Sequence, residues 1–366
     1  MRKKHFLFAS VLALLCGSST LHAQDFKLTS SGYFKNQGVD VMAFDDIYPE
    51  GHQGGVCIIM NGHRVATNGD IRLEATPGQW QPVPKQLDRK LGDNSITATL
   101  CYPDSSRHLT GFNPMIYPDL HLIYTVNVES KGKNIEVTVD LDRPIPQEFI
   151  GKVGFNLEFF PGSLFGKPWI MDGQSGIFPQ QPNSPLMTTQ PNYLHTGNYH
   201  DGKKSLADMD KLIGKGYSPI VADDIISEPY AKGTKFTSRP DDPYNKVTIE
   251  SLSGDLQLFD GRMNHNNGWF VLRSNIKPGV TKGAVKWIIT PNVVADWMYQ
   301  PVIQTSQIGY HPTQDKEAVI EMDIRDNRKE TAQIIRIDAD GEKVVKNVTP
   351  ANWGKFLRYN YLKVNF

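Results

Sequence analysis

The sequence predicts an all-β fold in which a large β-sandwich region is followed by a second, smaller sandwich. Three observations support this prediction. The 366 residues include 31 Gly and 24 Pro, a content typical of a chain with many turns. Hydrophobic residues alternate with polar ones in many short segments, as half-buried strands require. Only one short run, 203–215, has hydrophobic residues at helical spacing.

The clearest strand signals form one predicted hairpin. Residues 121–129 and 134–141 each place hydrophobic side chains on one face, and turn residues lie between them. The same pattern recurs at 247–252 and 256–259. By contrast, 161–191 contains six prolines, which cannot donate to a sheet ladder, so this segment is predicted to be a long surface excursion.

A boundary is expected near residue 301. After it, 318–324 alternates as a strand, and the turn Ala339-Asp340-Gly341 separates two further strand patterns. We therefore expect 24–300 to form an N-terminal β-sandwich region. Residues 301–366 are expected to form an incomplete immunoglobulin-like β-sandwich, since the last strand pattern runs up to Phe366.

The first 23 residues are typical of a secretory signal peptide. A basic head precedes an apolar stretch at 6–16, and small and polar residues lead to Ala23, after which cleavage is expected. The apolar stretch is too short for a membrane span. Lipid attachment at Cys16 is the less favoured alternative, because Leu15 precedes it. The protein is therefore expected to be secreted or periplasmic.

Charge and cysteine content narrow the classes of function. With 39 basic and 39 acidic residues the formal charge is zero, which argues against a nucleic-acid partner. Cleavage after Ala23 leaves two cysteines, Cys57 and Cys101, both at predicted strand positions. One cross-strand disulfide and two free thiols are both compatible with the sequence.

No cofactor or metal motif is present in the sequence. A glycine-rich phosphate loop, Gly-x-Ser-x-Gly and Cys-x-x-Cys are all missing. The acidic run 338–342 resembles the opening of a calcium loop without its later ligands, so a plain turn is favoured. His195 and His200 follow the proline-rich segment, where no helix fixes their spacing. We therefore expect no cofactor and no metal site.

Two tryptophans are the candidate carbohydrate contacts. Trp80 and Trp169 lie in predicted loops, where an indole face can stack on the apolar face of a sugar. The competing interpretation, which we favour for both, is that each covers the end of the sandwich core. Among the carboxylates, Glu158 is the best candidate for catalysis. Strand alternation places it with Asn156 on a face that we expect to be solvated, so no catalytic residue is assigned.

The C-terminal residues carry a family resemblance. Residues 305–312 (TSQIGYHP), followed by 316–320 (KEAVI), resemble the opening of the N-terminal immunoglobulin-like domain of glycoside hydrolase family 9 cellulases. The end of the chain, 361–366 (YLKVNF), matches a further strand of that family, with Asn365 in place of an Asp. Upstream, 41–55 resembles an extra N-terminal region of some secreted bacterial members.

The resemblance implies a β-glucan-degrading enzyme whose helical barrel follows this module and uses an Asp base and a Glu acid. The Asp-Ala-Gly-Asp motif of the base does not occur here, so this chain alone is expected to be inactive. We interpret it as the accessory N-terminal part of a secreted cellulase-type hydrolase. Its expected partners are a β-glucan and the missing catalytic module of the same polypeptide. The alternatives are a non-catalytic glycan-binding sandwich protein and a spacer that only positions a catalytic module.

Overall fold

The computed structural model describes residues 25–45, 54–74, 76–77, 84–102, 120–182, 186–188, 225–263 and 268–366. The predicted helix at 203–215 lies outside these ranges. Within them, nearly all regular structure is β-strand, and short 3₁₀ turns lie at Gln147–Phe149, Pro161–Ser163 and Gly261–Met263. The all-β prediction is therefore confirmed.

The strands up to residue 188 are, in chain order, β1 (Lys27–Leu28), β2 (Phe34–Asn36), β3 (Val39–Ala43), β4 (Val56–Met60), β5 (His63–Leu73), β6 (Lys85–Leu91), β7 (Ser95–Tyr102), β8 (Leu122–Lys131), β9 (Asn134–Leu141), β10 (Val153–Phe159), β11 (Pro168–Met171), β12 (Gln174–Ile177) and β13 (Leu186–Thr188). Those that follow are β14 (Ile225–Ser227), β15 (Ala231–Gly233), β16 (Lys235–Ser238), β17 (Val247–Ser251), β18 (Leu256–Asp260), β19 (Phe270–Asn275), β20 (Val285–Pro291), β21 (Val302–Gln304), β22 (Glu317–Asp323), β23 (Ala332–Asp338), β24 (Gly341–Val348), β25 (Ala351–Phe356) and β26 (Tyr359–Asn365).

Two nine-stranded antiparallel sheets form the large sandwich. The first sheet has the order β1-β2-β3-β4-β5-β10-β19-β18-β15, and the second has β12-β11-β16-β17-β20-β9-β8-β7-β6. Alternate hydrophobic side chains of both sheets fill the space between them. Phe155 of the first sheet meets Trp287 of the second edge to face, with ring centres 5.0 Å apart.

The strand pattern predicted one hairpin correctly and one wrongly. β8 and β9 pair as expected, and alternate residues of both are buried. The second prediction, that 247–252 pairs with 256–259, is wrong. β17 belongs to the second sheet and β18 to the first, so the chain crosses between sheets there. The strands of both pairs alternate between hydrophobic and polar residues, because each strand has one face on the core. Alternation alone therefore does not show whether two successive strands pair with each other.

The proline-rich segment is more ordered than predicted. β11 and β12 lie within 161–191 and pair with each other at the edge of the second sheet. Pro168 is the first residue of β11, where the missing N–H of proline is tolerated. The part of this segment from 168 to 177 is therefore sheet rather than surface excursion.

The residues after 301 form two small antiparallel sheets, and their predicted immunoglobulin-like arrangement stays a prediction. A third sheet has the order β21-β22-β26-β25, and β23 and β24 form a separate hairpin. The predicted turn of this hairpin is confirmed, with Gly341 at a φ of 110°. Apolar side chains remain exposed on these sheets, including Ile303 at 63% and Ile337 at 75%.

No disulfide joins Cys57 and Cys101 in the structure, so of the two alternatives left by the sequence it has the one without a cross-strand bridge. In the part of the chain that the structure describes, no helix is long and apolar enough to cross a membrane.

Candidate functional site

The two tryptophans that the sequence singles out have different outcomes in the structure. Trp80 lies outside the described residues. The prediction that Trp169 lies in a loop is wrong, because it lies in β11 with 7% of its surface exposed and packs in the sandwich core. Gly176 permits this packing, since a Cβ at that position would lie 2.5 Å from the indole ring. Such burial leaves little of the Trp169 indole available to a sugar.

Five other aromatic side chains form a continuous row, named here the aromatic row. In spatial order its members are Trp297, Tyr299, Tyr359, Tyr361 and Trp353. Successive ring centres are 6.3, 5.1, 6.0 and 5.9 Å apart. Neighbouring ring planes are inclined by 57° to 69°, so the row alternates faces and edges rather than forming one flat platform. Trp353 ends the row and is 57% exposed.

Strand alternation places much of the row on one face of the third sheet. Along β26, Tyr359 and Tyr361 point to this face, while the residues between and after them are buried on the other. Trp353 joins them because the register of β25 shifts at this residue. The ammonium of Lys363 lies 4.4 Å from the centre of the Trp353 ring, a cation–π contact.

Two turns of the large sandwich receive the other end of the row. Gly38 lies between β2 and β3 and Gly62 between β4 and β5, at φ values of 65° and 85°. A Cβ on Gly38 would lie 2.7 Å from the ring of Trp297, and one on Gly62 would lie 3.2 Å from the ring of Tyr299. Glycine at position 38 is therefore required by both the backbone conformation and the close approach of the indole.

The row begins in a cleft of about 200 Å³ between the first and third sheets. The side-chain amide of Gln37 donates to the carbonyl of Trp297 at 2.6 Å, and Arg325 donates to the same oxygen. Arg358 forms an ion pair with Asp40. These contacts join the third sheet to the edge of the large sandwich.

The two carboxylates of the cleft are in different electrostatic environments. Burial raises the pKa of Asp40, and Arg358 opposes this effect. Burial also acts to raise the pKa of Asp323, but hydrogen bonds from Arg325 and from the Tyr299 N–H hold it below its ordinary value. Each carboxylate is engaged by an arginine. The Asp40 pair joins the first and third sheets, whereas Asp323 fixes Arg325 and the backbone of Tyr299 beside the cleft.

Polar groups accompany the rings. The hydroxyl of Tyr299 donates to Glu321 Oε1 at 2.9 Å, and burial together with this carboxylate raises the pKa of Tyr299 to about 12. The pKa of Tyr361 is raised by burial and by Glu321. Both phenols therefore keep their protons at neutral pH. The row thus combines apolar ring surface with hydroxyl, carboxylate and ammonium groups.

The sequence held one signal for this site that our sequence reasoning did not use. Tyr359 and Tyr361 are two residues apart on a predicted strand, which places two aromatic rings on one face. No local pattern joins them to Trp297 or Trp353, because those contacts depend on sheet pairing and on the bulge in β25.

The expectation that Glu158 lies on a solvated face is also wrong. Its side chain is 3% exposed and accepts a hydrogen bond from the Asn68 amide at 2.6 Å. The surrounding face of the first sheet carries several more buried polar residues.

No family model and no curated protein matches the chain. Among solved structures, it is similar to the Slr1438 protein from Synechocystis sp. PCC 6803, with 9% identity and a TM-score of 0.32, covering 80% of this chain and 100% of that one. It is also similar to a galactose mutarotase-like protein from Lactobacillus casei ATCC 334, with 11% identity and a TM-score of 0.32, covering 70% and 98%. At this TM-score neither likeness assigns a fold or a function.

Proposed function

We propose that this chain is the accessory, glycan-binding N-terminal part of a secreted polysaccharide-degrading glycoside hydrolase. The observation that carries the proposal is the aromatic row, which lies partly exposed on one face of the third sheet. Pyranose rings have apolar faces that stack on aromatic rings, and their hydroxyl groups bond to nearby polar side chains. The row offers both kinds of contact along one line.

The inclination of the rings favours one kind of glycan. Flat crystalline cellulose would require coplanar rings, whereas rings inclined by 57° to 69° fit the faces and edges of a single, twisted chain. We therefore propose a soluble β-glucan chain as the ligand. The resemblance of 305–312 to cellulase modules supports the same substrate class.

The test is affinity electrophoresis of purified 24–366 in gels containing mixed-linkage glucan, hydroxyethyl cellulose or xyloglucan. We expect retardation of the wild type in at least one gel and its loss in Trp353→Ala and Tyr361→Ala. Tyr244→Ala is the matched control, since Tyr244 is a 47% exposed aromatic outside the row. Trp80→Ala tests the remaining predicted contact in the same gels. Unchanged retardation of the row variants would contradict the proposal.

Binding without hydrolysis is part of the proposal, since no catalytic pair is assigned. Purified 24–366 should release no reducing sugar from carboxymethyl-cellulose, mixed-linkage glucan or xyloglucan. Turnover that Glu158→Gln abolishes would place a catalytic site in the large sandwich instead.

A second candidate is the spacer role, favoured by the contacts that join the two parts of the chain. The ion pair of Arg358 with Asp40 and the close fit of Trp297 against Gly38 join the third sheet to the sandwich. In this case the exposed row packs against a catalytic module. Absence of retardation in every gel would favour this candidate.

A further inference from the structure

A group of buried polar side chains lies on the outer face of the first sheet, where β5, β10 and β19 adjoin. We name it the Glu74 network; its members are Asn68, Glu74, Asn156, Glu158 and Arg273, all at most 5% exposed. The intervening residues of β10 point into the sandwich core, where Phe155 meets Trp287. The network therefore faces away from that core.

Arg273 orders the network and has no hydrogen left for a ligand. All of its N–H groups are used, by Asn275 at 2.7 Å, Glu74 Oε1 at 3.1 Å, Asn156 at 3.2 Å and the carbonyls of Glu74 and Lys152 at 3.1 and 3.0 Å. Its role is to hold the Glu74 carboxyl in place.

The oxygens of the network, by contrast, are only partly satisfied. Glu74 Oε1 accepts from Asn156 at 2.6 Å, but Glu74 Oε2 has no partner among the described residues. Asn68 donates to Glu158, yet its own Oδ1 has no partner, and neither has the buried hydroxyl of Thr67. Buried polar groups are nearly always hydrogen-bonded, so three unpaired ones, two on β5 and one at the residue directly after it, indicate a missing partner.

Sheet register brings these three groups close together. Thr67 pairs with Glu158, and a bulge with Asn68 at a φ of 56° turns the Asn68 amide toward the same carboxylate. Glu74 is held by Asn156, which lies two residues from Glu158 on β10. Side chains two apart on a strand share a face and are roughly 7 Å apart. The unpaired groups thus lie near one another on the same face of the first sheet.

We propose that the Glu74 network is a binding site for one monosaccharide unit, whose hydroxyl groups donate to Thr67, Asn68 and Glu74. The donors of Arg273 are used internally while three acceptors are unpaired, so the site favours a ligand that donates hydrogen bonds, as a ligand rich in hydroxyl groups does. Among the described residues, no group of three or more His, Cys, Asp or Glu side chains is placed to hold a metal ion. The site lies on a different sheet from the aromatic row.

The test is saturation-transfer NMR of purified 24–366 with D-glucose, D-galactose, D-mannose and D-xylose, followed by calorimetric Kd measurement for a sugar that binds. Thr67→Val keeps the shape and removes an unpaired hydroxyl, so we expect a melting temperature that does not fall and a Kd raised about 3–10-fold. Glu74→Gln should raise the Kd at least tenfold. Tyr244→Ala is the control and should leave the Kd unchanged.

Three results would overturn the proposal. One is the lack of binding by all four sugars at tens of millimolar concentration. Another is an unchanged Kd in both Thr67→Val and Glu74→Gln, which would place the bound sugar elsewhere. The third is a melting temperature of the wild type, but not of Glu74→Gln, that rises with Ca²⁺ or Mg²⁺, which would make the network a cation site.

Discussion

The large sandwich and the C-terminal sheets consist of the same kind of strand but differ in what covers them. In β20 of the sandwich, Val285, Trp287 and Ile289 are fully buried. In β23 of the C-terminal hairpin, Ile335 and Ile337 alternate just as regularly but are 44% and 75% exposed. Alternation therefore predicts a strand, whereas burial depends on a second layer facing it.

The same contrast applies to the polar residues. Polar side chains on the outer face of the first sheet are buried and bonded to each other, whereas those of the C-terminal hairpin are solvated, as in the exposed Arg336–Asp338 pair. Substitutions that break such a polar contact should therefore lower the free energy of unfolding more in the large sandwich than in the C-terminal sheets.

The largest expected effect is the loss of folding when the C-terminal sheets are isolated. Each partly exposed isoleucine forfeits part of the about 1.5–3 kcal/mol that full burial contributes, and several such losses are substantial against a total stability of about 5–15 kcal/mol for a domain. We expect residues 302–366 alone to show no cooperative thermal transition by circular dichroism, while 24–366 does. A cooperative thermal transition of monomeric 302–366 would contradict the claim that these sheets do not fold alone.

A matched pair of truncations measures the contrast directly. Ile289→Ala, in the sandwich core, should cost about 2–5 kcal/mol of unfolding free energy, because it leaves a cavity. Ile337→Ala, on the exposed hairpin, should change it by less than about 0.5 kcal/mol. Urea unfolding of both variants measures these changes in unfolding free energy. Equal losses in the two variants would show that another layer covers the hairpin in solution.

The pH dependence of stability tests the buried carboxyl groups. Burial raises the pKa of Glu74 to about 7 and that of Asp70 to about 6, from 4.5 and 3.8. The folded state then holds these protons more tightly than the unfolded state, so their contribution is fully present below about pH 4 and is lost as the pH rises to 7. For Glu74 this amounts to roughly 3 kcal/mol.

Glu74→Gln should therefore weaken the fall in stability between pH 4.5 and 7, as measured by urea unfolding at each pH. Ile337→Ala, on the exposed C-terminal hairpin, removes no titratable group, so it is the control and should leave the shape of the profile as it is. Parallel profiles for Glu74→Gln and the wild type would mean that the carboxyl ionises normally in the folded protein.

A smaller effect is expected where the two regions meet. Arg358 and Asp40 form the ion pair of the cleft, and a double-mutant cycle with Arg358→Ala and Asp40→Ala should give a coupling energy of about 1–2 kcal/mol. Additive effects of the two substitutions would show that the third sheet does not depend on this contact.

The sequence predicts the strands and hairpins well where neighbours in the chain pair with each other. The β8–β9 hairpin followed from alternation around a short turn, because all of the information lies within twenty residues. The pairing of β17 and β18 could not be predicted in this way, since the choice of sheet depends on partners elsewhere in the chain.

The candidate sites were less predictable than the strands. Glu158 has the alternation of a solvated residue, and nothing near it in the sequence shows that β5 and β19 place Glu74 and Arg273 beside it. Trp169 was assigned to a loop because of the surrounding prolines, yet an edge strand tolerates them. Tyr361 and Trp353 become neighbours only through a bulge. Long-range register, rather than local pattern, builds each site.

The central claim is that the aromatic row binds a glycan, and calorimetric titration of 24–366 with cellohexaose tests it most directly. We predict measurable binding by the wild type, a Kd about tenfold higher in Trp353→Ala, corresponding to about 1.4 kcal/mol, and an unchanged Kd in Tyr244→Ala. No heat of binding in the wild type, or an equal Kd in Trp353→Ala, would contradict the claim.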